Sequence, residues 1–365
     1  MDERDQHWFG PAFSRPTTVT ALRILHADAA ESEDAYRSAG LAVSEIATMA
    51  GMSRPSAEEA VVELLDRGLV AEVVPDPDAP RPVGRPAKRY RFRPDFGHVI
   101  GVDIGIHKVL ALCTDLSGSV RGSHRIDVAG DVGNADRLDA ARTAVKRAAR
   151  SSGIRLADIR TIGVGTTGPV DPETGTVVQS PALPEWAGVN VRQELSGIGS
   201  GTVLVGNDAN LGALAEHWRG IATDASDVVY VLAGHQVSVG ILIDGAVRQG
   251  RHGAAGEIGQ LKAIRWYEAR DALAAGVPVD DSGFIEDLAT GIAATVLTVD
   301  PDKVVIGGGL SQAGEKLLRP LKARLDELCM FPIPVEASSL GDHNVALGAV
   351  RLALHALEGP LFTSQ

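Results

Sequence analysis

Cysteine is nearly absent: Cys113 and Cys329 are the two in 365 residues, far apart in the chain. That excludes a disulfide framework and a cysteine-rich zinc site. Aromatic residues make up 4% of the sequence, so a core must be built mainly from Ala, Val, Leu and Ile. No unbroken apolar run approaches the roughly 18 residues that a membrane span needs. Met1–Pro16 carries early acids and lacks the apolar stretch of a signal peptide. A cytoplasmic protein with no membrane partner is expected. Bases are also short, with 35 Lys and Arg against 47 Asp and Glu, a formal charge of −12. Contact with a polyanion therefore has to come from local clustering.

What is present is glycine, 41 residues of it, in a chain long enough for two or three domains. This composition suits a soluble α/β protein rich in tight turns. The charge is uneven. Arg81, Arg85, Lys88, Arg89, Arg91 and Arg93 follow one another with no acid among them. Such a run is ordinarily a solvated linker, but this one comes directly after a helix-turn-helix pattern.

That pattern begins with a helix expected over Thr17–Ala27, capped by Thr17 or Thr18. Asp28–Gly40 follows as a loop or an extension of that helix. Val43–Ala50 reads as a second helix capped by Ser44, Gly51-Met52 as its corner, and Ser53–Leu65 as a third helix. Ser53 suits the N-cap, and Pro55 is tolerated in the first turn, where amides have no intrahelical acceptor. Ala57, Ala60, Val61, Leu64 and Leu65 make the buried stripe. Ser53, Arg54, Ser56 and Glu59 then face outward, at the end that enters a major groove. Arg54 is the candidate for a guanine or phosphate contact. Val70–Val74 and Lys88–Phe92 read as strands flanking the proline-rich Pro75–Ala87, a wing with a stiff tip. Gly84-Arg85-Pro86 presents an arginine suited to a narrow minor groove. Residues 1–95 are thus expected to form a winged helix-turn-helix, with Ser53, Arg54, Ser56, Arg85, Lys88 and Arg89 meeting double-stranded DNA.

From Val99 onward, short apolar strands alternate with helices. Val99–Ile104 and Val109–Thr114 read as a hairpin, Ala140–Arg150 as an amphipathic helix, and Ile159–Val164 as a buried strand ending in Gly165-Thr-Thr-Gly168. Val203–Val205 leads to Asn207-Asp208, where a helix begins. Val228–Leu232 and Val239–Ile243 follow, then Ala255-Gly-Glu-Ile-Gly259, Ile306-Gly-Gly-Gly309 and an Ala-Leu-Gly-Ala segment within Gly341–Leu354. Together with Gly168-Pro-Val-Asp171, and in this order, these motifs resemble the ROK family (repressors, open reading frames, kinases) in its winged-helix regulator branch.

The resemblance implies an actin-like, ribonuclease H-like sugar-kinase fold of two α/β lobes, expected at 96–205 and 206–365, the second with a C-terminal helix. In family kinases the aspartate matching Asp208 is the general base on a sugar hydroxyl, and residues matching Asn207 and Glu257 bind sugar hydroxyls. Gly168, Asn207, Asp208 and Glu257 are therefore the candidate ligand-binding residues. Asn207 or Asp208 equally suits the cap of the helix that follows, and both readings stand at this point.

The departures from the family point away from catalysis. Ile106 and His107 replace the glycine and threonine of the phosphate turn, where small residues let backbone donors reach phosphate. The second glycine-rich loop has become Ala233–Gly240, containing His235. Gln260 replaces a histidine that is usually a zinc ligand, Ala182 replaces a sugar-binding asparagine, and the segment between Gln260 and Gly307 is short. Positioning and charge stabilisation supply nearly all of phosphoryl transfer, so Asp208 is read as vestigial, and neither zinc nor ATP is expected. The expectation is a homodimeric DNA-binding regulator on an inverted repeat. Its inactive kinase-like body would sense a sugar-derived effector or serve only as a dimerisation scaffold. The alternative is an ATP-dependent sugar kinase carrying a DNA-binding head.

Overall fold

The computed structural model describes Phe13, residues 15–31, Tyr36 and residues 38–74, 87–234 and 236–362. The wing tip with Arg81, Gly84, Arg85 and Pro86, and His235 of the second loop, lie outside the described residues.

The head contains α1 (Pro16–Glu31), β1 (Leu41–Ala42), α2 (Val43–Ala50), α3 (Arg54–Asp66), β2 (Val70–Glu72) and β3 (Arg89–Phe92). Its sheet runs β1-β3-β2, all antiparallel, the arrangement of a winged helix-turn-helix. Leu22, Leu25, Ile46, Ala57, Leu64 and Phe92 are buried in one core. Two expected caps fall elsewhere. Thr18 is fully buried, and its hydroxyl donates to Glu63 at 2.7 Å, so it joins α1 to α3 rather than capping α1. The start of α2 is satisfied not by Ser44 but by Glu45, whose carboxylate accepts from Ala42 N–H at 2.7 Å. Gly51 turns the corner with φ of 61°, a conformation that glycine adopts without steric cost. Ser53 caps α3 as expected, accepting from Ser56 N–H. Leu65, expected inside, is half-buried.

The first lobe holds β4 (His98–Ile104), β5 (Lys108–Asp115), β6 (Val120–Asp127), α4 (Asn134–Ser151), β7 (Ile159–Thr166), α5 (Val191–Leu195) and β8 (Thr202–Asn207). The second holds α6 (Asp208–Arg219), β9 (Val228–Ala233), β10 (Val237–Ile243), β11 (Ala246–Val247), α7 (Trp266–Ala274), α8 (Ser282–Val299), β12 (Lys303–Gly307), α9 (Glu315–Leu328) and β13 (Val335–Ala337). The sheets run β6-β5-β4-β7-β8 and β11-β10-β9-β12-β13. Counted within each lobe, both have the order third, second, first, fourth, fifth. In both, an antiparallel meander is followed by two parallel strands. This repeated ribonuclease H-like unit is the two-lobed actin-like architecture. Among the described helices, α8 alone is long and apolar enough to cross a membrane by length and composition. It carries Glu286 and Asp287, and its Phe284, Leu288 and Ile292 are buried in the second lobe's core.

The C-terminal helix α10 (Asn344–Leu361) lies against the first lobe's sheet. A Cβ at Gly101 would stand 2.2 Å from Ala346 O, and one at Gly163 would stand 2.0 Å from Ala349 O. Only glycine at both sites lets helix backbone and sheet come this close. Further along, Leu354, Leu357 and Leu361 enter the core of the head.

Candidate functional site

The carboxyl ends of β4, β8, β9 and β12 open onto one cleft of about 380 Å³, where open α/β sheets present their loops to ligands. Asp103, Lys108 and Arg125 line it from the first sheet, Asn207 and Asp208 from the β8–α6 junction, and Glu257 from the loop after β11.

The phosphate turn is closed from several sides. Gly105 N–H donates to Lys108 O at 2.9 Å, tightening the turn. Behind it lies Arg137, fully buried, donating to Gly105 O at 2.6 Å and Ile106 O at 2.9 Å. It also donates to Ala129 O at 3.3 Å. Ile106 and His107 face the cleft where a phosphate oxygen would need backbone donors. Lys108 is already engaged. Its ammonium donates to Asp342 O at 2.7 Å and lies 3.4 Å from both Asp103 Oδ2 and Asp342 Oδ1. Arg125 pairs with Asp127 at 2.8 Å and also with Asp342. These ions form a chain across the mouth of the turn. Sequence reading missed it because Asp342 is remote in the chain and follows an ordinary Gly-Asp turn.

At the β8–α6 junction the two open readings separate. Asn207 is the N-cap: its Oδ1 accepts from Asn210 N–H at 3.1 Å, and its Nδ2 donates to Gly168 O at 3.1 Å. Both ends of that amide are occupied. Gly168 has φ of 87°, and a Cβ there would stand 2.0 Å from Gln179 O, so its first role is to let two loops meet. Asp208 begins α6 and accepts one backbone bond, from Ala209 N–H at 2.8 Å. It keeps a partly open edge toward the cleft, although dense protein surrounds it. Burial pushes its carboxyl up to about 7; the Ala209 bond opposes that, and the charges of Asp103 and Glu257 add to it. Glu257 is also raised by burial, partly offset by a hydrogen bond from Gln260. Neither Asp208 nor Glu257 has an ion-pair partner among the described residues. Pro181 lines the cleft, whereas Ala182 packs against the first lobe's core. The shortened segment after Gln260 contributes Trp266, Tyr267 and Arg270. Sequence reading counted that segment only as a loss, though its adjacent aromatics were a usable signal. No group of three or more His, Cys, Asp and Glu among the described residues is placed to hold a metal ion.

On the head, Ser53, Arg54 and Ser56 share the exposed start of α3. Arg54 is ion-paired to Glu58 at 3.0 Å with its side chain 73% exposed. Such a pair is worth little in water and opens readily to a stronger anion. Lys88 pairs with Glu72 at 2.7 Å at the base of the wing. Arg89 is more committed, bonding Gly40 O, Ala39 O and Glu45 at once. Arg91 donates to Tyr36 O, and Arg93 binds Gly68 O and Asp95. Among the described members of the basic strip, Lys88, Arg89, Arg91 and Arg93 each hold a partner within the protein. Tyr90 and Phe92 alternate with them into the core.

The ROK family matches residues 99–276 and 279–356. The chain is 24% identical over 330 residues to the xylose repressor of Caldicellulosiruptor bescii, spanning 74% of this chain and 82% of that one. It is 25% identical over 366 residues to the DNA-binding transcriptional dual regulator NagC of Escherichia coli, spanning 86% and 88%. Among solved structures, a ROK family transcriptional regulator described as a homologue of the E. coli MLC protein aligns with a TM-score of 0.69 at 20% identity. That alignment covers 95% of this chain and 98% of the other, head included.

Proposed function

The chain belongs to the ROK family, and on that premise we propose that it is a DNA-binding transcriptional regulator whose kinase-like body senses an effector. The observation that carries this reading is the course of α6 and α10. Both helices start at the cleft, at Asp208 and at Asn344; α10 ends in the core of the head, and α6 ends on the first-lobe turn that touches the head. Arg219, at the end of α6, donates to Gly118 O at 2.7 Å and Ser117 O at 2.9 Å. The adjoining Leu116 O accepts from His26 Nε2 of the head at 3.2 Å. At the end of α10, Phe362 meets His26 edge-on and lies under Arg23. With a rise of about 1.5 Å per residue, α10 spans directly from the cleft to the head, and α6 reaches the head through the Leu116–Gly118 turn. A ligand that prefers one lobe arrangement can then bias head spacing, by no more than its differential affinity for the two states.

In this reading the protein acts in the cytoplasm as a homodimer on an inverted repeat, without catalysis, zinc or ATP. The blocked turn and the engaged Lys108 support that. The competing reading is an ATP-dependent sugar kinase carrying a DNA-binding head. Asp208, with its carboxyl near 7, is the residue in that reading's favour, because a general base works best near the operating pH. The test is selection of bound duplexes from a random double-stranded pool by the full chain, alongside an assay of sugar-dependent ATP turnover. A recovered palindromic site with no turnover is expected. Turnover abolished by Asp208→Asn, with no duplex recovered, would overturn the proposal.

A further inference from the structure

The cleft has an unbalanced charge pattern. Each of its cations is already neutralised from within the protein. Lys108 lies between Asp103 and Asp342, Arg125 between Asp127 and Asp342, and Arg270 is paired with Asp271 at 2.7 Å. Asp208 and Glu257, facing the same space, take part in no ion pair among the described residues. They act on each other as like charges, and buried Asp103 adds to the repulsion on Asp208. Charged groups withdrawn from water without a partner are costly, and an incoming cation would relieve both carboxylates at once. An incoming phosphate would meet the same two carboxylates, and Lys108, Arg125 and Arg270 would each have to leave an internal partner to receive it.

The rest of the lining indicates what else the ligand carries. Gln236, Ser238, Gln312 and Thr167 present hydroxyl and amide groups to the cleft, the complement of a polyhydroxylated molecule. Tyr267 stands at the cleft beside buried Trp266, with the Arg270 guanidinium 5.3 Å from its ring centroid, so this ring already holds a cation of the protein's own. We infer that the cleft recognises a polyhydroxylated cation, with an amine-bearing sugar as its simplest form. The inference rests on the reading of the cleft as an effector site and names the ligand class for it.

Binding of an ammonium group favours ionised Asp208, so a proton leaves the protein when the amine docks. The groups facing Asp208 are Asp103 and Lys108 from the first sheet, Glu257, Tyr230 of β9, and Asp342 ahead of α10. With a carboxyl at about 7, affinity for an amine should rise about fivefold from pH 6 to pH 7, following the ionised fraction.

The experiment is titration calorimetry and thermal unfolding of the full chain at pH 6 and pH 7. The probes are glucosamine and galactosamine, compared with glucose, galactose, N-acetylglucosamine and glucose 6-phosphate. Expected is binding by the amines alone, with the fivefold pH step and proton release both lost in Asp208→Asn and the binding weakened tenfold or more in Glu257→Gln. Unfolding midpoints of the two variants without ligand verify that each is folded. Equal or tighter binding by the neutral, acetylated or phosphorylated sugars overturns the cation inference while leaving the effector site in place. Amine binding that is flat in pH and unaffected by both variants also overturns it. Stabilisation by none of the six overturns it together with the effector reading.

Discussion

Asn344, the first residue of α10, donates its side-chain amide to Glu216 Oε1 of α6 at 2.7 Å, inside the protein. The same Asn344 accepts from Tyr230 OH at 3.0 Å, and Glu216 also accepts from Ile221 N–H at 3.1 Å and from Ser338. Glu216 is fully buried, and burial raises its carboxyl above the usual range. Through this pair α6 and α10 are tied together inside the protein. Gly348 reinforces it: a Cβ there would stand 1.8 Å from Leu211 O.

Removing one partner leaves the other buried and unsatisfied, which typically costs about 1–3 kcal/mol. Asn344→Leu should therefore lower stability by that amount in urea unfolding, and it should reduce the effector's influence on DNA affinity while leaving basal affinity near wild type. An unchanged effector response in a measurably destabilised variant would separate the pair from signalling.

Asp208 gives a pH dependence whose direction is set by its raised carboxyl. The unfolded chain ionises this group near 3.8, whereas the folded protein holds its proton until about 7. Between those values the native state carries the extra proton, so stability falls as pH rises from about 4 to 7 and levels off above. Asp208→Asn removes this decline. It should be more stable than wild type at pH 8 by a few kcal/mol, with little difference at pH 4. Urea midpoints at the two pH values decide it, and an equal gap at both would count against the raised carboxyl.

His26 sits edge-on between Phe92 and Phe362, with ring centroids at 5.0 and 5.5 Å, at the seam of head and body. Burial lowers its pKa, opposed by the Leu116 bond and Glu358, with Arg351 adding to the lowering. A neutral ring is preferred in the folded state, so stability from this site is full above pH 6.5 and declines as pH falls through the lowered folded value. Protection against hydrogen exchange at residues 16–31, taken relative to the intrinsic amide rate at each pH, should fall on acidification below pH 6 more in wild type than in His26→Phe. Identical acid sensitivity in both would place the weak point elsewhere.

On the head, Arg54→Ala should alter base preference at one position of each half-site, at about 1–3 kcal/mol for a lost bidentate contact. Lys88→Ala should weaken all sequences alike and lower the salt slope by about one. Anisotropy titrations at several salt concentrations measure both. If Arg54→Ala changed only the salt slope, it would be a phosphate contact. Arg89→Ala should act mainly by loosening the Ala39–Gly40 turn and Glu45, so its DNA defect should accompany a lower melting temperature.

Much of the architecture was legible because it rests on local rules. Ser53 caps its helix, Gly51 turns its corner, and Tyr90 and Phe92 alternate inward along the wing strand, each by chemistry confined to a few neighbours. The bulk at the β4–β5 turn was also legible, since Ile106 and His107 are large wherever the chain runs. The cap of α2 was misread because Ser44 and Glu45 both satisfy amides, and only the backbone geometry says which one is placed to do so. The partners of Arg89, Lys88 and Arg93 were not legible in the basic strip because Glu45, Glu72 and Asp95 all lie outside the run.

The sequence by itself determined the winged head, the paired lobes and the residue types around the cleft, because hydrophobic period, capping and glycine turns act over short separations. Only the tertiary structure decided which charges remain unbalanced and that α10 joins cleft to head. Lys108 is neutralised by Asp342, and α10 lies on Gly101 and Gly163. Those pairings depend on which surfaces come within a few ångströms after folding, a distance that no local pattern encodes.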